Sequence, residues 1–411
     1  MKHVEEAGRP GAYRRVRSSL REYLRPLGML CEGGPLRVMA ELTTGVIFTG
    51  SVQLTNAARL FCSTANQLAG AVERMGGHLS DESWDHRDWA ASVLHRLAEE
   101  VADDDLIPID GTELAKPYAR RMEHLCTVKD ASRAGDPLVG GYWCWGAYHW
   151  GVEHATLNPL MLRPWSPNQP DFRSENDLTG RWFWTLREAT GGRGIWLIDR
   201  GADRPEVLSQ LLRVQKRWIV RLRGDRPLLG PDGRLLSAVQ WGDWALANLR
   251  PRGNAVTLAV SLPPDQVPQY GTAPKLHLVT PTYTFFRNGR EERWLLLTCG
   301  LIGHQVGPRQ VRYDYALRWR AEDAKRFLGQ VCRVEKFMVR SFAALERLLW
   351  CVTLAGGFLS HLQRQEADLC QELCQEVLYM DKEVVLPVYR LARGLHTLCT
   401  RCGPAALAVN A

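Results

Sequence analysis

The sequence predicts an α/β protein in which a mixed sheet is flanked by helices, carries an antiparallel β insertion and lies between helical lobes at both ends of the chain. Two apolar strands, 106–110 and 195–199, each end in an aspartate, and a helix and another strand follow the second. Residues 225–300 have short apolar runs between glycines and prolines, with a period of about two. Helical spacing of apolar residues dominates both termini.

The composition excludes several classes of protein. Of 411 residues, 45% are hydrophobic and 24% charged, which is ordinary for a folded chain and excludes wholesale disorder, collagen-like repeats and a coiled-coil rod. A net charge of +7 suits a polyanionic partner without requiring one. Scattered cysteines and the lack of a signal-like N-terminus predict the cytoplasm. The longest apolar stretch, 348–362, is too short to span a bilayer, so we expect no membrane anchor.

The pattern divides the chain into three predicted domains. Residues 1–100 form a helical lobe, in which 44–51 separates the first helix from the rest and Ser80 caps a later helix. An arginine cluster on its first helix is typical either of a DNA-reading element or of a solvated helix face. The cluster consists of Arg14, Arg15, Arg17, Arg21 and Arg25.

The second and third domains are predicted at 101–350 and 351–411. Strands are expected at 141–150, 158–164 and 218–222, with a helix at 204–214 between the strand that ends in Asp199 and the strand 218–222. The β insertion of about 225–300 contributes strands at 256–260, 276–279 and 294–297. Helices follow at 315–328, 334–362 and 366–378.

Three carboxylates stand out by their context. Asp110 and Asp199 each close an apolar strand, and Glu322 lies in a helix rich in basic residues. Carboxylates at the ends of neighbouring strands repel one another, and a bound divalent cation is the usual remedy. Two such cations can activate an attacking oxygen and stabilise a leaving oxygen in phosphoryl transfer.

Three blocks of sequence resemble the insertion-sequence transposases of bacteria that carry an Asp-Asp-Glu triad and the YREK signature. The first block is Ile109-Asp110-Gly111-Thr112-Glu113-Leu114, followed by Lys116-Pro117-Tyr118-Ala119 and Met122-Glu123. The second is Leu197-Ile198-Asp199-Arg200-Gly201-Ala202-Asp203, followed by Trp218-Ile219-Val220-Arg221-Leu222-Arg223. The third has Tyr315, Arg318 and Glu322 at the spacing of the signature's Tyr, Arg and Glu, with Trp319 beside Arg318. All three occur in the family's order, over about residues 105–350.

The resemblance implies an RNase H-like catalytic core that cleaves and joins DNA at transposon ends with Mg²⁺, or Mn²⁺ in its place. It implies that Asp110, Asp199 and Glu322 hold the metal ions. The implied partners are the inverted repeats at the transposon ends and target DNA, bound by a homodimer in the cytoplasm of a bacterium, at the nucleoid. The implied DNA-contacting residues are Tyr315, Arg318, Trp319, Trp294, Lys325, Arg326 and Arg200.

Several of these roles have a plainer alternative. Tyr315 and Arg318 either contact phosphate near the cleaved end or pack the helix and pair with Glu322. Trp294, at the head of a Trp-Leu-Leu-Leu-Thr run, either stacks on a flipped-out base, worth about 1–3 kcal/mol, or belongs to the core. Arg200 either contacts phosphate or forms a surface ion pair.

One position departs from the signature. The family has a lysine seven residues after the glutamate, and here the position is Gly329, although Lys325 and Arg326 lie one turn after Glu322. An alternative function is therefore a catalytically impaired DNA-binding repressor or inhibitor derived from a transposase. A nuclease of the same core fold is a third hypothesis. Near the C-terminus, the pairs Cys370/Cys374 and Cys399/Cys402 are either ordinary thiols or a zinc site.

Overall fold

The computed structural model describes residues 2–31, 33–267, 275–287, 290–303, 306–375 and 387–402. Its helices are α1 Lys2–Leu24, α2 Gly34–Thr49, α3 Leu54–Ala58, α4 Ala65–Ser80, α5 Arg87–Ala98, α6 Glu175–Thr190, α7 Pro205–Val214, α8 Ala238–Asn248, α9 Pro308–Ala316, α10 Arg320–Gln330, α11 Phe342–Gln365, α12 Ala367–Gln375 and α13 Pro387–Cys402. Its strands are β1 Leu106–Ala115, β2 Cys126–Lys129, β3 Leu138–Gly151, β4 Thr156–Trp165, β5 Ile195–Ile198, β6 Trp218–Arg221, β7 Pro227–Leu229, β8 Leu235–Ser237, β9 Ala255–Val260, β10 Leu276–Pro281, β11 Phe285–Arg287, β12 Arg290–Glu292 and β13 Leu296–Cys299.

The main sheet is mixed. Its strands pair in the order β2-β3-β1-β5-β6-β13-β10-β9, and β4 also pairs with β3. Strands β1, β5 and β6 run parallel, whereas β3 is antiparallel to β4 and the last three strands are antiparallel to their neighbours. A central strand with parallel neighbours on one side and an antiparallel hairpin on the other is the arrangement of an RNase H-like core. The predicted fold class is confirmed.

The chain packs into two compact units. Unit 1 consists of Met1–Glu100, Gly111–Phe172 and Asp323–Ala411, and unit 2 of Val101–Asp110 and Arg173–Glu322. Strand β1 therefore contributes its first half to unit 2 and its second half to unit 1. The predicted lobes 1–100 and 351–411 thus belong to one unit, and the boundary predicted at residue 350 falls inside α11.

Helix α11 is the core of unit 1. It packs against β4, α2, α4 and α5, and nearly all of its residues from Phe342 to Leu362 are buried. Its 24 residues are long and apolar enough to cross a membrane by composition, but 89% of the apolar window is buried within the protein. A helix that is apolar on all sides and covered on all sides is typical of the centre of a folded lobe.

One buried cation ties α11 to the end of α4 within unit 1. The Arg347 side chain, 2% exposed, donates hydrogen bonds to the carbonyl oxygens of Leu79, Asp81 and Trp84 at 2.6, 2.8 and 2.5 Å. Its guanidinium also lies 4.9 Å from the centre of the Trp84 ring. The last carbonyls of a helix have no partner within that helix, and Arg347 supplies one.

Three local predictions in the terminal and insertion regions are wrong. Residues 44–49 belong to α2, so the segment 44–51 does not separate two helices. Ser80 ends α4 instead of capping a helix; the capping box that starts α4 is Thr64 with Gln67. The β insertion contains a helix, α8, which begins at a second capping box formed by Ser237 and Gln240.

Other differences concern strand ends and cysteines. Asp110 does not close its strand, because β1 continues to Ala115. Trp294 precedes its strand, since β13 begins at Leu296. Cys370 and Cys399 are buried, the Cys402 side chain lies outside the described residues, and no zinc-like group of His, Cys, Asp or Glu occurs in the part of the chain that the structure describes.

Candidate functional site

The register of two parallel strands brings Asp110 and Asp199 to the same level in unit 2. Ile109 of β1 pairs with Ile198 of β5, so the aspartates that follow occupy equivalent positions on neighbouring strands. Such strands lie about 4.8 Å apart. Both carboxylates consequently face a common edge, where each is partly exposed.

The Asp199 carboxylate is oriented by the turn that follows it. Its Oδ1 accepts a hydrogen bond of 2.7 Å from the Gly201 amide and so caps the single 3-10 turn Arg200–Ala202. A Cβ atom at position 201 would lie 2.9 Å from Oδ1. Glycine at this position therefore lets the backbone amide approach the carboxylate without a clash.

Arg318 is the common neighbour of all three predicted triad residues. Its Nη1 lies 3.0 Å from Asp110 Oδ2, and the two side chains are 13% and 14% exposed. Burial alone would lower the pKa of the guanidinium, but the Tyr315 hydroxyl and three carboxylates raise that pKa above its ordinary value. The three carboxylates are Asp110, Asp199 and Glu322.

The predicted Tyr315 contacts both Arg318 and Trp294. Tyr315 is 3% exposed, and its ring meets the Trp294 ring edge-on with 5.1 Å between centroids. Burial raises the pKa of Tyr315 to about 12, so its hydroxyl stays protonated, and it also bonds with Arg318. Trp294 is partly exposed. The structure therefore places Trp294 between the two predicted roles, packed on one edge and open to solvent on part of its surface.

The remaining predicted DNA contacts of unit 2 are at the surface. The Trp319 side chain is 50% exposed, and the Arg318 guanidinium lies 5.7 Å from its ring centre. Arg200 is exposed and lies 3.7 Å from Glu292, which gives it the ion pair of the plainer prediction.

Lys325 and Arg326 belong to unit 1. Lys325 lines a small cavity of about 60 Å³ together with Cys144 and Gly329. Arg326 is exposed and forms a weak pair with Asp323 at 3.8 Å. Of the two, Arg326 has the exposure that a phosphate contact needs.

The sequence prediction missed a second charged pair beside Tyr315. Arg221 ends β6, and it forms an ion pair with Glu292, the residue that Arg200 also approaches. The Arg221 charge acts on the Tyr315 hydroxyl. Because Val220 pairs with Ile198, Arg221 stands level with Asp199. The signal was therefore present in the sequence: a charged residue that ends the strand after the second aspartate.

A further buried pair holds the loop after β6. The Asp203 carboxylate, at the end of the second sequence block, forms an ion pair with Arg226 and accepts a 2.6 Å hydrogen bond from the Arg223 amide. Asp203 is 1% exposed. These contacts hold the loop in place and leave the Asp203 side chain buried, whereas Asp199, four residues earlier, is partly exposed.

The oxygen ligands available at this site are of the type that binds a hard divalent cation. Two carboxylates at one edge of neighbouring strands offer the oxygen ligands that Mg²⁺ prefers. However, among the described residues no three Asp, Glu, His or Cys side chains lie close enough together to hold one ion. In this conformation the positive charge among the three carboxylates is Arg318.

Comparisons with known proteins give similarities to solved structures but none to family models or curated sequences. No protein-family model and no curated protein sequence matches this chain. Among solved structures, it is similar to a chain in the cryo-EM structure of the piggyBac transposase synaptic complex with hairpin DNA, with 11% sequence identity and a TM-score of 0.45. The alignment covers 95% of this chain and 80% of that chain. A likeness of this extent assigns no activity.

Proposed function

We propose that the protein is a DNA transposase that cleaves DNA at transposon ends and joins the freed end to target DNA. One observation carries the proposal: the register of β1 and β5 sets Asp110 beside Asp199, and Glu322 acts on the same arginine. Cleavage and joining are both in-line displacements at phosphorus, with the same charge demands, so one site serves both.

Asp110, Asp199 and Glu322 are the proposed ligands for Mg²⁺ or Mn²⁺ in the DNA-bound state, because in the present conformation no three such side chains among the described residues lie close enough to hold one ion. When bound, the metal would supply positive charge to the attacking and leaving oxygens. The protein's own residues orient the charged groups of the site. The Gly201 amide fixes the direction of the Asp199 carboxylate, and the buried Tyr315 holds the Arg318 side chain through a hydrogen bond. In the absence of substrate, Arg318 offsets the mutual repulsion of the carboxylates.

Arg318 is also the proposed phosphate ligand. Its planar fork of donors suits a phosphate, and Tyr315 holds that fork from the buried side. When a phosphodiester enters, Arg318 exchanges the Asp110 carboxylate for the phosphate. This exchange frees Asp110 Oδ2 at the moment when substrate arrives.

Substitution Arg318→Met tests both roles. We expect the rate of cleavage at saturating metal to fall on the order of 100-fold, because a charged donor to the phosphate is lost. We also expect Mn²⁺ to bind the DNA-free protein several-fold more tightly, since the cation that repels it is gone. Free Mn²⁺ measured by electron paramagnetic resonance and nicking of labelled DNA report the two effects. Exposed Arg309→Met is the control; weaker Mn²⁺ binding in Arg318→Met would contradict the assignment.

The N-terminal helix supplies the proposed contact to the transposon end. Arg14 and Arg21 of α1 and Arg25, directly after that helix, are exposed, and with Arg17 they line a surface hollow of about 410 Å³. Arg15 instead pairs with Glu366 at 2.7 Å within unit 1. We assign the hollow to DNA-end binding. Because two ends must be paired before they are cut, we propose a homodimer on DNA; one protomer per complex by mass measurement would remove that part.

Gly329 favours a second function, that of a catalytically impaired DNA-binding repressor or inhibitor. The residue lies exposed in α10, and no atom comes within 4 Å of a Cβ added there. The signature lysine can therefore be restored without a clash. The absence of this lysine removes one cation from the signature and changes neither the sheet nor the three carboxylates.

Substitution Gly329→Lys separates the two functions. Lysine is a better helix former than glycine, so we expect stability to rise by about 0.5–1 kcal/mol in thermal unfolding. For an impaired protein we expect nicking to rise about tenfold or more, since a phosphate gains a charged donor. Gly329→Ala gives the helix effect without the charge. Equal nicking by the parent and both variants would leave the repressor function without support.

A further inference from the structure

Unit 1 contains a second charged concavity, which is lined by none of the residues given a role in the structure above. Its volume is about 680 Å³, and it is lined by the segments 115–122, 130–133 and 335–340, with Gln53. Six of its lining residues are basic and two are acidic. We call it the basic groove. The basic residues are Lys116, Arg120, Arg121, Arg133, Lys336 and Arg340.

Lys116 holds the walls of the basic groove together. Its ammonium donates to the carbonyl oxygens of Glu335, at 3.0 Å, and Phe337, and it lies 4.1 Å from the centre of the Phe337 ring. Burial lowers its pKa. The Glu123 carboxylate adds a second link by accepting a 2.6 Å bond from the Phe342 amide. The shape of the groove is therefore built in by bonded groups.

Arg133 has a similar structural task at the rim. It pairs with Asp130 at 3.1 Å and lies 5.7 Å from the centre of the Tyr118 ring. Tyr118 is 85% exposed, so the pair holds a large aromatic ring in solvent at the edge of the groove. Aromatic rings beside cations are a feature of surfaces that bind nucleic acid, although one exposed ring alone would be ordinary.

The other four cations have no partner carboxylate. Arg120, Arg121, Lys336 and Arg340 are exposed, and within the described ranges no Asp or Glu lies at ion-pair distance from any of them. Like charges around one concavity repel each other and focus a positive potential. The arrangement is unfavourable until an anion enters.

The position of the charges selects the kind of anion. A site for a small anion buries a few converging polar groups, whereas these four cations line the groove with their side chains exposed to solvent. That distribution suits a long polyanion that meets several cations at once. Nucleic-acid backbones are held in this way, by Lys and Arg contacts that carry no sequence information.

We infer that the basic groove binds the phosphate backbone of duplex DNA, independently of sequence. The inference rests on the proposed function for its choice of DNA, and it adds a binding surface that the carboxylate site and α1 do not contain. Lys116 and Arg133 shape the surface, and Arg120, Arg121, Lys336 and Arg340 contact phosphate.

The salt dependence of DNA binding tests this inference without any cleavage. Affinity for a random-sequence duplex of about 30 base pairs is measured in EDTA across a salt series; each phosphate contact contributes about 0.9 to the slope of log K against log salt. The combined variant R120A/R121A/K336A/R340A should lose about 3 to 4 units of slope and about 100-fold or more in affinity near 0.1 M salt. The variant R120K/R121K/R340K should keep the parent slope.

A matched control removes the same charge elsewhere. Arg213, Lys216, Arg250 and Arg252 are exposed residues outside the groove, and R213A/K216A/R250A/R252A changes the net charge equally. An equal loss in both combined variants would show a general charge effect and overturn the groove. So would an unchanged slope in the groove variant, or a loss confined to structured RNA. If the parent itself binds no duplex, the proposed function fails as well.

Discussion

Replacing Asp110, Asp199 or Glu322 by its amide is expected to lower metal-dependent nicking of end-containing DNA by on the order of 10³-fold, with duplex binding nearly unchanged. The amides keep the shape of each side chain but remove the charge that a divalent cation needs. Asp110→Asn additionally takes away the ion pair with Arg318. The rate of nicking and the dissociation constant are measured on the same labelled duplex.

Surface carboxylates of unit 2 provide the matched control. Glu206 and Asp232 are exposed, so Glu206→Gln and Asp232→Asn remove one charge each without touching the sheet edge. They should nick at the parent rate. The triad assignment is rejected if a triad amide nicks normally per bound complex, or if it loses binding instead. Joined products in the same assay distinguish a transposase from a nuclease that only hydrolyses.

Substitution Arg347→Met should destabilise unit 1 by about 3 kcal/mol or more in denaturant titration. Methionine has comparable length but no donor, so the carbonyls of Leu79, Asp81 and Trp84 lose a buried partner. Each unsatisfied buried carbonyl costs about 1–3 kcal/mol. Arg347→Lys should recover less than half of the loss, because one ammonium does not reproduce a planar fork that reaches three oxygens.

The exposed Arg59 serves as its control. The Arg59 side chain, in unit 1, donates an exposed hydrogen bond of 3.3 Å to Asn56, and Arg59→Met should change the free energy of unfolding by about 0.5 kcal/mol or less. A similar small change in Arg347→Met would mean that water replaces the guanidinium at the end of α4. The buried carbonyls would then carry no such cost.

The strands were predictable where burial is strongest. The residues before Asp199 and Arg221 form wholly apolar runs, because the strands that contain them are covered on both faces. Such runs can be recognised in the sequence without knowing which strands they pair with. Helix α8 was missed because glycines and prolines on both sides of it suggested β turns. Its capping box, Ser237 with Gln240, was the local signal that outweighed them.

The candidate site was predictable only in part, because some of its contacts join residues that are far apart in the sequence. The sequence blocks identified Asp110 and Asp199, and the parallel pairing of β1 with β5 places the two aspartates at equivalent positions on neighbouring strands. The ion pair from Arg318 to Asp110 joins residues 208 positions apart, and no periodicity encodes it. The partner of Arg221, Glu292, lies on a short hairpin whose register depends on tertiary packing.

The division of unit 1 into three separated segments affects how the chain folds during synthesis. Helix α2 packs on α11, so a ribosome must translate nearly 300 further residues before the N-terminal helices meet the centre of their own lobe. At about 5–20 residues per second, that wait lasts on the order of tens of seconds. Apolar surfaces of α2 stay uncovered meanwhile, which makes the nascent N-terminal region a natural client for chaperones and makes C-terminally truncated products prone to aggregate.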